Sequence, residues 1–94
     1  MARFAVELVF APDRDNLLAT RPSHREYIAS LVEKGVVLAG GPFADDAGAM
    51  IVYEIADEAA LKEVIAADPY TAASVVAEWK IREWNVVTGL WLTD

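Results

Sequence analysis

The apolar residues change their spacing several times along the chain, and that succession constrains the fold more than any other feature. From Arg3 to Phe10, the residues Phe4, Val6, Leu8 and Phe10 alternate with Arg3, Ala5, Glu7 and Val9. This is the period-two pattern of a half-buried strand. Ala11 to Ala19 is polar at its start and turn-like. A helix is expected to open near Thr20-Arg21-Pro22, because proline in a first helical turn gives up an N–H that would be unpaired anyway. Tyr27, Ile28, Leu31 and Val32 define its apolar face, and Lys34-Gly35 closes it with a cation and a left-handed glycine cap. Val36 to Ala39 reads as a short buried strand stopped by Gly40-Gly41-Pro42. Asp45-Asp46-Ala47-Gly48 reads as a turn, and Ala49 to Ile55 as the next strand. Asp57 caps a second helix whose inward face carries Leu61, Val64 and Ile65. Asp68-Pro69 ends that helix, since the residue before proline is pushed out of the helical region. Tyr70 to Ser74 has room for one further turn. Val75 to Val87 is the last strand, with Val75, Ala77, Trp79 and Ile81 on one side and Glu78, Lys80 and Arg82 on the other. The tail Thr88 to Asp94 carries Leu90, Trp91 and Leu92 and is apolar enough to need a docking surface.

The resulting order, βαββαβ, is the split-βαβ or ferredoxin-like pattern of an α+β fold. One antiparallel sheet is covered on one face by two helices. A length of 94 residues makes this a single domain spanning 1–94. Apolar residues make up 55% of the chain, more than one core of this size needs. The third strand shows where the excess lies: Ala49, Ile51, Tyr53 and Ile55 occupy one face, and Met50 and Val52 the other. Two helices cover only one face, so a homodimer or a higher homo-oligomer is expected.

The charge balance narrows the partners. There are 15 acidic and 8 basic residues, a formal net charge of −7, and no basic cluster. Nucleic acid needs Lys/Arg stripes, and anionic membrane surfaces need them too, so neither is an expected partner. The chain has no cysteine, hence no disulfide framework, thiolate metal site or cysteine nucleophile. That is consistent with a reducing cytoplasm, the expected location. The first ten residues lack the apolar core of a signal peptide, and no run approaches a bilayer span. One histidine argues against zinc or non-haem iron, which take two or more His or Cys ligands. No phosphate loop or dinucleotide fingerprint is present. No cofactor is expected.

Two polar residues fall at apolar-face positions. His24 precedes Tyr27, Ile28 and Leu31 by three, four and seven residues, which places it on the inner face of helix one, in its first turn. Asp68 follows Ile65, Val64 and Leu61 by three, four and seven, which places it on the inner face of helix two, at its end. In βαββαβ topology the start of helix one and the end of helix two share an edge. Gly40-Gly41-Pro42 and Tyr70 lie at that same edge. Each of His24 and Asp68 would be costly alone: the helix ends disfavour their charges, and burial adds to the cost. Together they compensate, and the carboxylate can fix the imidazole tautomer, the usual arrangement of a general base. The plain alternatives are a cap-region histidine and an Asp-Pro helix end whose side chain bonds nearby backbone. Likewise Tyr70 is a ligand wall or a half-buried aromatic. Gly40, Gly41 and Pro42 are a ligand approach or a turn, and Arg21 is an anion holder or a solvated cation. Ser23 points about 100° away from its neighbour His24 on a helix, so a Ser–His couple has poor geometry.

Arg21-Pro22-Ser23-His24, Gly40-Gly41-Pro42, Ala67-Asp68-Pro69-Tyr70 and the ending Ile81 to Val87 resemble the YCII-related family. The likeness runs over nearly the whole chain, and the Asp-Pro-Tyr piece at this distance from the histidine is its most specific part. The resemblance implies a ferredoxin-like fold that dimerises as an α+β barrel, and a site centred on His24 and Asp68. It supplies no reaction, and fold alone does not fix one. Three readings stay open: an enzyme in which His24, held by Asp68, moves a proton on a small, partly apolar substrate; a domain that binds a small molecule or a protein without chemistry; and a pair that only locks two helix ends together.

Overall fold

The computed structural model describes residues 1–92. Its elements run β1 (Ala2–Phe10), α1 (Arg14–Glu33), β2 (Val37–Pro42), β3 (Gly48–Ile55), α2 (Glu58–Ala66), α3 (Pro69–Ala72) and β4 (Val76–Glu83). The strands form one antiparallel sheet in the order β2-β3-β1-β4. This is the ferredoxin-like α+β arrangement, with one extra turn of helix after α2. The central pair sets the core. Phe4, Val6 and Leu8 of β1 lie opposite Tyr53, Ile51 and Ala49 of β3, and all six are buried. Leu17 and Leu31 of α1 and Leu61 and Ile65 of α2 close over them. Burying a side chain of this size stabilises the fold by about 1.5–3 kcal/mol, so the covered face of the sheet carries most of the stability.

Helix α1 begins two turns earlier than the proline suggested. The segment 14–19 is helix rather than turn. Asp13 is the N-cap, its carboxylate accepting from the Asn16 N–H at 3.1 Å. Leu17 is then carried into the core at 1% exposure, and the Asn16 amide donates to the Ala73 carbonyl at 2.7 Å. These contacts keep Pro22 inside the helix despite the roughly 3 kcal/mol that an interior proline costs. The end of the helix is as expected. Lys34 is the C-cap, Gly35 has φ +76°, and the Gly35 and Val36 N–H groups return to Val32 and Leu31, a glycine-capped terminus.

Three other boundaries differ. Gly40, Gly41 and Pro42 do not stop β2; they pair with Ile51, Met50 and Ala49 as its second half, because an edge strand tolerates glycine and proline. Helix α2 ends at Ala66, with Ala67 as C-cap, so Asp68 is not on α2; it is the N-cap of α3. Strand β4 ends at Glu83, and its alternation breaks where β1 shifts register between Val9 and Phe10. Val76, Trp79 and Ile81 pack against the core while Ala77 is exposed.

The face of the sheet away from the helices carries Ala5, Met50 and Val52. With Trp84 and Trp91 they line a shallow groove. The tail thus returns to the bare face: the Trp91 ring meets Trp84 edge-on at 6.1 Å, while Leu90 stays exposed. Residues 93 and 94 of that tail lie outside the described residues. Among the described residues, no helix is long and apolar enough to cross a membrane.

Candidate functional site

His24 and Asp68 meet across 44 residues of sequence. His24 is in the third turn of α1, not the first, so neither helix end governs its charge. Asp68 is brought to it by the Asp-Pro step that opens α3. Proline is favoured at the first helical position, and an Asp cap satisfies the N–H that follows. The Tyr70 N–H donates to Asp68 Oδ1 at 2.9 Å. Nδ1 of His24 lies 2.8 Å from Asp68 Oδ1 and 3.0 Å from Oδ2. A carboxylate only accepts, so Nδ1 carries the proton and donates. Asp68 is 1% exposed and His24 9%. A buried carboxylate is tolerated only when paired and hydrogen-bonded, and here one backbone N–H and one imidazole serve it. Nε2 of His24 has no hydrogen-bond partner among the described residues, and it is not a buried orphan.

The His24 ring lines a cavity of about 120 Å³. Tyr70 lines it too, stacked on His24 with centroids 3.8 Å apart and planes 4° from parallel. Phe10, Ile28 and Ile51 supply apolar wall. Gly40, Gly41 and Pro42 close the side formed by β2. Strand register separates the two glycines. Gly40 pairs with Ile51 and so faces the helices, whereas Gly41 pairs with Met50 and faces the bare side. Gly41 therefore borders the cavity by its backbone. Gly40 is the position whose missing side chain keeps that wall low: a Cβ there would come within 3.3 Å of Ile51 Cγ1.

Arg21 reaches the same cavity, but its guanidinium is occupied. It donates to Asp46 Oδ1 at 3.0 Å and to the Tyr70 hydroxyl at 3.4 Å. Arg14 binds the same Asp46 carboxylate and donates to the Asp46 carbonyl at 2.9 Å. Arg21, then Arg14, hold the Asp46 carboxyl below its usual range, and Asp46 in turn holds Arg21 above its own. The latch pins the β2–β3 turn to α1. Nearby, burial first and then the Asp68 carboxylate push the Tyr53 and Tyr27 phenols upward.

The structure thus brings His24, Asp68, Arg21, Gly41, Pro42 and Tyr70 to one place. Sequence reasoning missed two participants. Arg25 lines the cavity, and its spacing one turn after Arg21 could have signalled that. Asp46 looked like any turn aspartate; its partners are 25 and 32 residues away. No group of three or more His, Asp or Glu side chains converges as a metal site among the described residues.

A family model described as the YCII-related domain matches residues 2–85. No curated protein matches the chain in sequence. Among solved structures, it is similar to the 5-chloro-2-hydroxyhydroquinone dehydrochlorinase of Burkholderia phenoliruptrix, in complex with 2,5-dihydroxybenzoquinone (TM-score 0.78, 20% identity, 88% of this chain and 93% of that one). It is also similar to an antibiotic biosynthesis monooxygenase (TM-score 0.59, 18% identity, 94% of this chain and 100% of that one). A third similar structure is a Pseudomonas aeruginosa protein (TM-score 0.59, 15% identity, 93% and 94%). At these identities the likeness is one of fold.

Proposed function

This chain belongs to the YCII-related domain family, and we propose that it binds a small, partly apolar molecule beside His24 and moves a proton on it. The observation that carries this is the buried Asp68–His24 contact of 2.8 Å with Nε2 left free. Asp68 fixes the Nδ1–H tautomer, so Nε2 presents its lone pair to the cavity. On taking a proton, the ring becomes an imidazolium that the adjacent carboxylate stabilises. Returning the proton to another atom of the ligand gives isomerisation. Loss of a leaving group instead gives elimination, and the reverse sense gives hydration. None of these needs a redox cofactor. The dehydrochlorinase of similar fold has, by its name, an activity of the elimination class. In this reading Tyr70, Gly41 and Pro42 are walls, and Arg21, tied to Asp46 and the Tyr70 hydroxyl, braces them.

The experiment reads the ring nitrogen signals of the single imidazole by NMR in the wild type and in Asp68→Asn. The wild type should show the Nδ1–H tautomer that the contact with Asp68 selects, and the substitution should relax that preference. Identical spectra would leave the pair uncoupled and end the catalytic reading. Once a substrate is found, His24→Gln, whose amide can still donate to Asp68, should abolish turnover with the fold intact.

A second reading, binding without chemistry, draws on the absence of any nucleophile–base couple beside Nε2 among the described residues. It predicts a compound that raises the melting temperature and is recovered unaltered. Conversion of that compound would exclude it.

We also propose that a second copy of the chain covers the bare sheet face. Ala5 and Met50 line a groove there with Trp84, which is 44% exposed, an apolar surface of the kind that isologous dimers bury. Light scattering should give twice the chain mass, and Met50→Asp should halve it. A monomeric wild type would sink the proposal.

A further inference from the structure

The cavity differs in charge from the rest of the molecule. The chain carries −7 overall, yet the cavity is lined by Arg21, Arg25 and His24 and by no carboxylate. Arg21 and Arg25 are one helical turn apart on α1, a spacing at which like charges repel. Arg21 is compensated by Asp46 at 3.0 Å. Arg25 enters no ion pair or side-chain hydrogen bond among the described residues. The size is also restrictive. About 120 Å³ is close to the cavity of roughly 150 Å³ that accepts a benzene. The remaining wall is largely apolar, from Phe10, Ile28, Ala49 and Ile51.

We propose that the ligand is a small organic anion, a carboxylate or phenolate on a body of about one ring, and that Arg25 rather than Arg21 reads its charge. This rests on the reading of the cavity as a ligand site. Arg25 follows His24 directly in sequence, so the group that binds the anion and the group that moves the proton are set by the same turn of helix. Arg21, tied to Asp46 and Tyr70, holds the wall.

Benzoate and its neutral isostere benzamide test this, with the His24 imidazole signals as the readout. Benzoate should displace them saturably, and benzamide should bind at least about tenfold more weakly. Arg25→Gln should weaken benzoate by about tenfold, the loss of one charge-assisted contact, and leave benzamide unchanged. Arg25→Lys should recover part of the affinity. Lys62→Gln, which removes a positive charge far from the cavity, should change nothing. Benzoate that fails to bind, binds no better than benzamide, or is indifferent to Arg25→Gln overturns the proposal. The response of His24 to Asp68→Asn, measured without benzoate, reports the proton-transfer pair separately, so the two ideas fail independently.

Discussion

The His24 imidazole and the Tyr70 ring lie face to face, 3.8 Å between centroids and 4° from parallel, while the Tyr70 N–H holds the carboxylate to which the imidazole donates. Tyr70 therefore braces His24 by its ring and Asp68 by its backbone. An imidazole restrained on its edge and its face keeps one orientation, which a base needs if Nε2 is to point at a fixed spot in the cavity.

Replacing the Tyr70 ring separates packing from hydrogen bonding. Tyr70→Phe keeps the stack and loses only the contact with Arg21, so its unfolding free energy in urea should fall by less than about 1 kcal/mol. Tyr70→Leu removes the stack and leaves space beside Phe10, and should cost about 2 kcal/mol or more. Equal losses for the two variants would show that the ring face contributes nothing.

Asp68 should be costly to truncate. Asp68→Ala leaves a buried imidazole N–H and the Tyr70 N–H without acceptors, a loss of about 2–4 kcal/mol by urea denaturation. Asp68→Asn retains one oxygen for the Tyr70 N–H and should lose clearly less. A fully stable Asp68→Ala would mean that water replaces the carboxylate at no cost.

Alkaline stability should depend on Tyr53. Burial, then Asp68 and Tyr27, raise its phenol above the unfolded value near 10. A raised group contributes stability that is complete below the unfolded value and is lost as pH climbs toward the folded one. The wild type should weaken above about pH 10, and Tyr53→Phe should weaken less over the same window. Parallel decline of the two proteins in urea melts at pH 9 and pH 11 would assign the loss elsewhere.

Acid acts on the latch in the opposite sense. Asp46 is held low by Arg21 and Arg14, so its contribution is present above the unfolded value near 3.9 and disappears as pH falls through the folded one. Wild type should be more stable than Asp46→Asn at pH 7, and the difference should shrink as pH falls below about 4. The exchange suits the site, because asparagine tolerates the positive φ of 57° found there. A difference that persists unchanged at low pH would make the latch a matter of shape rather than charge.

The sequence disclosed the order of elements and the meeting of His24 with Asp68 because both follow from spacing and topology. It misplaced the start of α1 because proline is a local signal, and Leu17 and Asn16 answer to partners that local reading does not see. It placed His24 and Asp68 beside each other partly for a wrong reason: the helix ends invoked are not where the two residues sit. Inner-face spacing was the sound part. Strand β2 looked complete at Ala39 because glycines weaken strand signals, although an edge strand needs only one partner. Arg25 went unremarked because exposed arginine is ordinary until a cavity is known to lie under it.

Four of the cavity's lining residues, Arg21, His24, Arg25 and Ile28, lie on α1, an unbroken rod that begins two turns before them. The core anchors Leu17 and Leu31 stand on either side of that stretch. If the cavity is the ligand site proposed above, ligand preference is written on a short interval of one helix, with the residues that hold the helix in place lying outside it. Charge, reach and bulk at the cavity can be rewritten there by single substitutions while the sheet beneath stays as it is, so chains sharing this fold are free to part company in what they bind.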